Sequence, residues 1–370
     1  MKKASLPIFL SRPGLKDEDI SSVVKVLKSE NLVQGEKVFE LEKKTNLYVN
    51  SKRCSAVSNG TASLHLALVA LGVGPGDEVI IPALSYIATG NVVEIVGAKP
   101  IFVDVDLDTF NIDASEIESK ITKNTKCIMP VHEFGLCASM EEIMKISKKN
   151  NIPVIEDSAC ALGANLNGKS AGTFGEFGSF SLHPRKSITS GEGGLLVSNS
   201  SELDDKIKIL RNHGVDSKTN PPTFVAAGYN YRLTDFQAAL VSSQFNRIDK
   251  IISYKRTLVD YYLNNLRTDI LKLPFEPKNF KHSWQTFHVL VESNDLRNKL
   301  MTFLKENKVY VNYGAQCIPH MDYYQKKYGY DSEKLFPNAL RSFKCGLALP
   351  LDENLTINEI KYIINLINQF

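Results

Sequence analysis

A chain of 370 residues exceeds what one hydrophobic core usually serves, so two domains are expected. With 43% hydrophobic and 23% charged side chains it has the composition of a soluble globular protein. Its 44 basic and 41 acidic residues leave a net charge of +3, too small for a nucleic-acid footprint. Short clusters such as Lys148-Lys149 and Lys326-Lys327 read as solvated helix faces. The opening Met1-Lys2-Lys3, followed by the short, proline-broken run Leu6-Pro7-Ile8-Phe9-Leu10, predicts no export, and no apolar run approaches the length of a membrane span. The six cysteines lie at no metal-ligand spacing, which predicts free thiols, no metal site and a reducing, cytoplasmic setting.

In chain order, amphipathic periodicity predicts helices over Asp17–Leu27 and Glu36–Tyr48, and the Ser58-Asn-Gly-Thr-Ala-Ser63 turn opens an apolar helix running to Leu71. Strands and helices then alternate. Strands are predicted at Glu78–Ile81, Pro100–Val105, Cys127–Val131 and Ile152–Glu156, with helices after Ser85, near Ala114–Ile121 and near Met140–Asn150. This βαβ rhythm predicts an α/β fold with a mostly parallel, mixed sheet. Two more strands, Gly178–Ser181 and Gly194–Val197, flank Lys186. A long helical stretch follows Thr234 to about Leu266, after which Ser283–Val291 and Val309–Val311 read as strands and Thr356–Gln369 as a closing helix. The change in pattern divides a larger unit, residues 1–253, from a smaller C-terminal α+β unit, residues 254–370.

Lys186 stands between an apolar, β-prone stretch and the turn Ser187-Ile-Thr-Ser-Gly-Glu-Gly-Gly194. An amine held there, partly out of water, is suited to Schiff-base chemistry on an aldehyde cofactor, although a single lysine beside a turn is more often a surface residue. Four further features bear on that reading. Asp157 ends the apolar strand Ile152-Pro-Val-Ile-Glu-Asp157, where open α/β sheets gather catalytic groups and where a carboxylate could keep a pyridine nitrogen protonated; a helix N-cap explains it equally well. The Gly60-Thr61-Ala62 turn at a helix start offers backbone N–H groups to a phosphate, or is only a cap. Tyr86 could stack on a cofactor ring or be a core aromatic. Ser181 could donate a hydroxyl to the phosphate if its strand points inward.

Taken together and in this order, the phosphate turn, aromatic, strand-end Asp and Lys-Ser-Ile-Thr-Ser-Gly-Glu-Gly-Gly resemble the DegT/StrS family of sugar-nucleotide aminotransferases. Gly76-Asp-Glu-Val-Ile-Ile-Pro82, Phe102-Val-Asp-Val-Asp106 and Gly228-Tyr-Asn-Tyr-Arg-Leu-Thr-Asp235 extend the resemblance over nearly the whole chain. It implies the aspartate-aminotransferase-like fold type I and pyridoxal 5'-phosphate as cofactor. Lys186 would be the residue bonded to the cofactor aldehyde and Asp157 the partner of the ring nitrogen. Tyr86 would be the stacking ring, and Gly60, Thr61, Ala62 and Ser181 the phosphate site. Asn230 would reach the phosphate of a neighbouring subunit, so a homodimer with shared sites is implied. Three residues after Asp157, where the family usually carries Gln or His, this chain has Cys160, a poorer hydrogen-bond partner. His132 and His183 fit either loop support or substrate contact.

The resemblance further implies transfer of an amino group, with glutamate as donor, to a nucleotide-linked 4-keto-6-deoxy sugar for O-antigen and lipopolysaccharide synthesis. Ile8-Phe-Leu-Ser-Arg-Pro13 and Leu32-Val-Gln-Gly35 look most like the perosamine-synthase branch. Amination at C3 and a pyridoxamine-dependent dehydratase are the nearest alternatives, the latter disfavoured because that branch typically replaces the lysine by histidine. A nucleotide-sugar oxidoreductase lacks its Gly-x-Gly-x-x-Gly, and a non-catalytic regulatory protein would be expected to have lost one of Lys186, Asp157 and Ser181.

Overall fold

The computed structural model describes residues 5–370; the Met1-Lys2-Lys3 opening lies outside them. Seven strands build the main sheet. They are β1 (Arg53–Val57), β2 (Glu78–Pro82), β3 (Lys99–Val103), β4 (Thr125–Ile128), β5 (Ile155–Asp157), β6 (Phe177–Ser181) and β7 (Gly194–Ser198). Their order is β3-β2-β4-β5-β6-β7-β1. The two blocks are joined between β4 and β5 by the parallel bridges Ile128↔Val154 and Val131↔Asp157. Only β7 runs against its neighbours, pairing antiparallel with β6 and β1. The mixed, mostly parallel sheet expected from the alternation of elements is the one that forms.

Both faces of this sheet are covered, which is why its strands read as continuous apolar runs. Along β2, Val79 and Ile81 join one buried cluster and Ile80 another; along β7, Leu196 faces the first and Leu195 and Val197 face a third. Each such aliphatic side chain contributes about 1.5–3 kcal/mol when taken out of water. The helices Gly60–Ala70, Ala88–Ile95 and Ser201–Leu210 cover one face through residues such as Leu66, Val92 and Ile207. A further core gathers Leu258, Tyr262, Phe287, Leu300, Leu347 and Ile363 around the three-stranded sheet Leu271–Lys272, Phe287–Val291 and Gly346–Leu349. Between the last two strands the chain returns to the main sheet, so that Cys317, Tyr324 and Phe336 pack in its core.

Several elements end differently from the sequence pattern, for local reasons. The strand expected to run to Val131 stops at Ile128, because Pro130 has no N–H for the ladder and Val131 retains only a bridge. The strand expected from Ser283 begins at Phe287, since Trp284 takes a left-handed φ of 52°. No strand forms at Val309–Val311, where Val309 makes a single bridge to Ile8. The long helix after Thr234 is two helices, Asp235–Phe245 and Ile248–Asn265. The break falls at Arg247, whose buried guanidinium is held by Asp19 at 2.6 and 2.9 Å and by the Gly14 carbonyl.

Candidate active site

The carboxyl ends of β4 and β5, the start of helix Gly60–Ala70 and the turn after β6 open onto one cavity of about 670 Å³. Gly60, Thr61, Ala62, Tyr86, Asp157, Ser181 and Lys186 all line it. Asn230 does not. It is exposed and bridges Asn212, and the adjacent Tyr231, not Asn230, lines the cavity of this chain.

Asp157 is buried at the end of β5, and no helix begins after it. Its Oδ2 accepts from the Thr89 hydroxyl at 2.8 Å and its Oδ1 from the Ala159 N–H at 3.2 Å. Burial raises its pKa, opposed by the Thr89 and Ala159 hydrogen bonds and by the charge of Lys186. Lys186 sits in a tight turn, its N–H bonded to the His183 carbonyl at 2.8 Å, and its Nζ donates to the Cys160 thiol at 3.0 Å. Beneath it, Lys255 is buried and donates from Nζ to Ser187 Oγ at 2.8 Å. Burial brings the Lys255 ammonium down to about 8, with Lys186 adding to the effect.

The helix start at Gly60 is pressed against Ser181; a Cβ on Gly60 would lie 3.1 Å from that of Ser181. The Ala62 N–H is already engaged by the Asn59 N-cap at 2.8 Å, which leaves the Gly60 and Thr61 N–H groups without a protein acceptor among the described residues. Unpaired N–H groups at a helix start favour an anion. In the glycine-dense turn after Lys186, Gly191 has a φ of 80° with nothing within 4 Å of an added Cβ. Strain alone therefore governs substitution: Gly191→Val should cost about 1–3 kcal/mol in urea unfolding, and Gly191→Asn clearly less. Equal stability of the two variants would refute this.

His132 supports the loop. Its Nδ1 accepts from the Ala138 N–H at 3.0 Å, so its proton is on Nε2, 2.8 Å from Glu156 Oε2. His183 lines the cavity, and burial followed by the charge of Arg185 lowers its pKa. Sequence reasoning missed Thr89, Ser85, Glu133 and Lys255, and left Cys160 aside. Only Cys160 had a signal, its spacing from Asp157.

A free anion-binding helix start, a buried carboxylate and an amine on one cavity fit pyridoxal phosphate, whose phosphate, ring nitrogen and aldehyde call for those three groups. Fold and site thus define a pyridoxal-phosphate-dependent aminotransferase. The chain belongs to the DegT/DnrJ/EryC1/StrS aminotransferase family, whose model matches residues 13–368. It is 36% identical to the GDP-perosamine synthase of Escherichia coli O157:H7 over 91% of each chain. It is 43% identical to that of Caulobacter vibrioides over 63% of this chain and 62% of the other. Its fold matches the sugar aminotransferase Spr1654 of Streptococcus pneumoniae in its PMP form with a TM-score of 0.93 and 29% identity, covering 97% and 96% of the two chains. This protein is a pyridoxal-phosphate-dependent sugar aminotransferase.

Proposed function

We propose that this aminotransferase moves an amino group from glutamate to C4 of a nucleotide-linked 4-keto-6-deoxy sugar, in the synthesis of O-antigen or a related surface polysaccharide. The similarity to two GDP-perosamine synthases is the observation that carries the substrate class. When bound, pyridoxal phosphate supplies an electron sink and a carbonyl that accepts and returns the amino group. With the cofactor in place, Lys186 Nζ would carry a proton between the substrate carbon and the cofactor carbon that flank the transferred nitrogen in each half-reaction. The Asp157 carboxylate holds the ring-nitrogen proton, and the Gly60 and Thr61 N–H groups with Ser181 hold the phosphate, while Tyr86 covers the ring. The reading places the enzyme in the cytoplasm; among the described residues no helix is long and apolar enough to cross a membrane, and no cluster of metal-ligating residues is found. Division into units 1–253 and 254–370 is supported by the core around Tyr262, which apart from Ile8 is built from the second unit, while Cys317, Tyr324 and Phe336 of that unit pack on the main sheet.

A panel of keto sugar nucleotides, incubated with glutamate and the cofactor and resolved by mass and NMR, tests the substrate. A new amine at C4 is expected; an amine at C3 only, or loss of ring oxygen, would replace this reading.

The same proposal has Asn230 completing the phosphate site of a partner subunit, consistent with its exposure outside the lining of its own cavity. Lys186→Ala and Asn230→Asp homodimers should each be impaired. In a mixed dimer one site carries both defects and the other neither, so subunit exchange should restore activity to at most about half the wild-type value. Demonstrated exchange without recovery would mean that Asn230 serves its own chain's site or only supports the fold.

A further inference from the structure

The cavity has a second buried carboxyl that the steps above do not use. Glu133 follows the end of β4, is 6% exposed and lines the same cavity as Asp157 and Lys186. Its backbone is fixed: the Glu133 N–H donates to Asn111 Oδ1 at 2.8 Å, and Phe134, at a φ of 55°, stacks on His288 at 4.2 Å. Its Oε2 is shielded from water and has no hydrogen-bond partner. Desolvation in such a place penalises an ionised carboxylate far more than a neutral acid.

Two hydroxyl groups run from Asp157 toward this carboxyl. Thr89 Oγ1 donates to Asp157 Oδ2 at 2.8 Å, Ser85 Oγ lies 2.9 Å from Thr89 Oγ1, and the Ser85 side chain neighbours the Glu133 carboxyl. Ser85 and Thr89 are both buried. Each hydroxyl has one proton. That of Thr89 is spent on Asp157, so in its bond with Thr89 Ser85 is the donor, and toward Glu133 it has only lone pairs left. A protonated Glu133 continues this run of donors, whereas an ionised one opposes it and repels the Asp157 carboxylate.

We propose that Glu133 and Asp157 share one negative charge through the Ser85–Thr89 relay, Glu133 keeping the proton and Asp157 the charge. Glu133 is thereby a positioning residue that keeps Asp157 ionised toward the ring nitrogen. That consequence rests on the role proposed for Asp157; the location of the proton does not.

The electrostatics point the same way. Burial first, then the Asp157 charge, bring the Glu133 carboxyl up to about 8, against the pull of Lys186 and the Phe134 N–H. A Ser85 proton turned toward Glu133 would also lower it, but would break the run of donors to Asp157. On the cofactor side the titratable groups near Glu133 are Asp157 on β5, Lys186 on its turn and Cys160 on the loop after β5; on the other side Asp108, His282 and His288 line a small cavity with it, and burial lowers the pKa of both histidines. The sign for stability follows from a folded pKa raised above 4.5: the contribution of the protonated acid is full below that value and is lost as pH rises through about 8. Glu133→Gln, which keeps a donor and cannot ionise, should therefore gain melting temperature over wild type on the alkaline side.

Infrared difference spectra of the full-length apoprotein test where the proton lies. Wild type should show the carbonyl band of a protonated acid at neutral pH, lost as pH rises through about 8 and missing in Glu133→Gln. In Asp157→Asn the band should vanish at lower pH, because the charge that holds the proton on Glu133 is gone. Absence of a Glu133 band at neutral pH, or an unmoved midpoint in Asp157→Asn, would overturn the shared charge. In the holoenzyme the absorbance of bound cofactor should change through the same pH range, and Glu133→Gln should abolish that change. A cofactor spectrum indifferent to both variants, with the infrared band intact, upholds the proton's location and overturns its effect on the cofactor.

Discussion

Lys186→Ala should lose about 1,000-fold or more of turnover and still bind pyridoxal phosphate. The loss is large because one amine is assigned both the bond to the cofactor and the proton transfer, and a positioned acid–base group alone contributes about 100- to 10,000-fold. Binding should persist because the helix start at Gly60, the Ser181 hydroxyl and the Asp157 carboxylate are supplied by other elements around the cavity. Two measurements separate these effects. Borohydride should fix cofactor to wild type and not to Lys186→Ala, and titration of the apoprotein should give a dissociation constant for the variant that is weakened but measurable. Lys186→Arg should do no better than alanine, since a guanidinium neither bonds the aldehyde nor gives up its proton near neutral pH. Near-wild-type turnover in Lys186→Ala would remove Lys186 from the chemistry.

Asp157→Asn should slow both half-reactions by roughly 100- to 1,000-fold, the cost of removing one preorganised charge from a buried site. The amide has the shape of the carboxylate but a single acceptor: with its oxygen kept on the Ala159 N–H, its NH2 meets the Thr89 hydroxyl, which can turn to accept, so melting temperature should fall only modestly. The lost charge would leave the ring nitrogen without its ionic partner. Single-turnover absorbance changes with glutamate, and separately with the keto sugar nucleotide, would show the two losses. Equal rates in variant and wild type would make Asp157 a purely structural residue. Because the charge of Asp157 also raises the Glu133 carboxyl, the same variant links this prediction to the shared-charge proposal through a measurement that needs no cofactor.

Much of the site was legible because its parts are local. A strand-end aspartate, a Gly-Thr-Ala helix start and a lysine before a glycine turn each carry their own backbone signal, and β5, helix Gly60–Ala70 and the positive φ of Gly191 appear where those signals lie. Element ends were less legible wherever a single residue decided the outcome, through its backbone at Pro130 and Trp284 and through its buried guanidinium at Arg247. Glu133 had no signal at all. In the sequence it is one acidic residue after His132, and only burial beside Asp157 gives it chemical meaning.

From the sequence by itself came the alternation of strands and helices, the mixed sheet, the sugar-aminotransferase family and the residues that share one cavity. Each of these depends on periodicity, turn chemistry or a run of adjacent residues, which the chain carries wherever it folds. Tertiary structure alone decided that Cys160 meets Lys186, that Asn230 stands outside the cavity of its own chain and that the Ala62 N–H is taken by Asn59. It alone joined Thr89 to Asp157, 68 residues apart, and brought Ser85 beside Glu133. The physical reason is strand order: β4 lies between β2 and β5, so groups from the ends of three separate strands converge, and local periodicity does not specify which strands become neighbours.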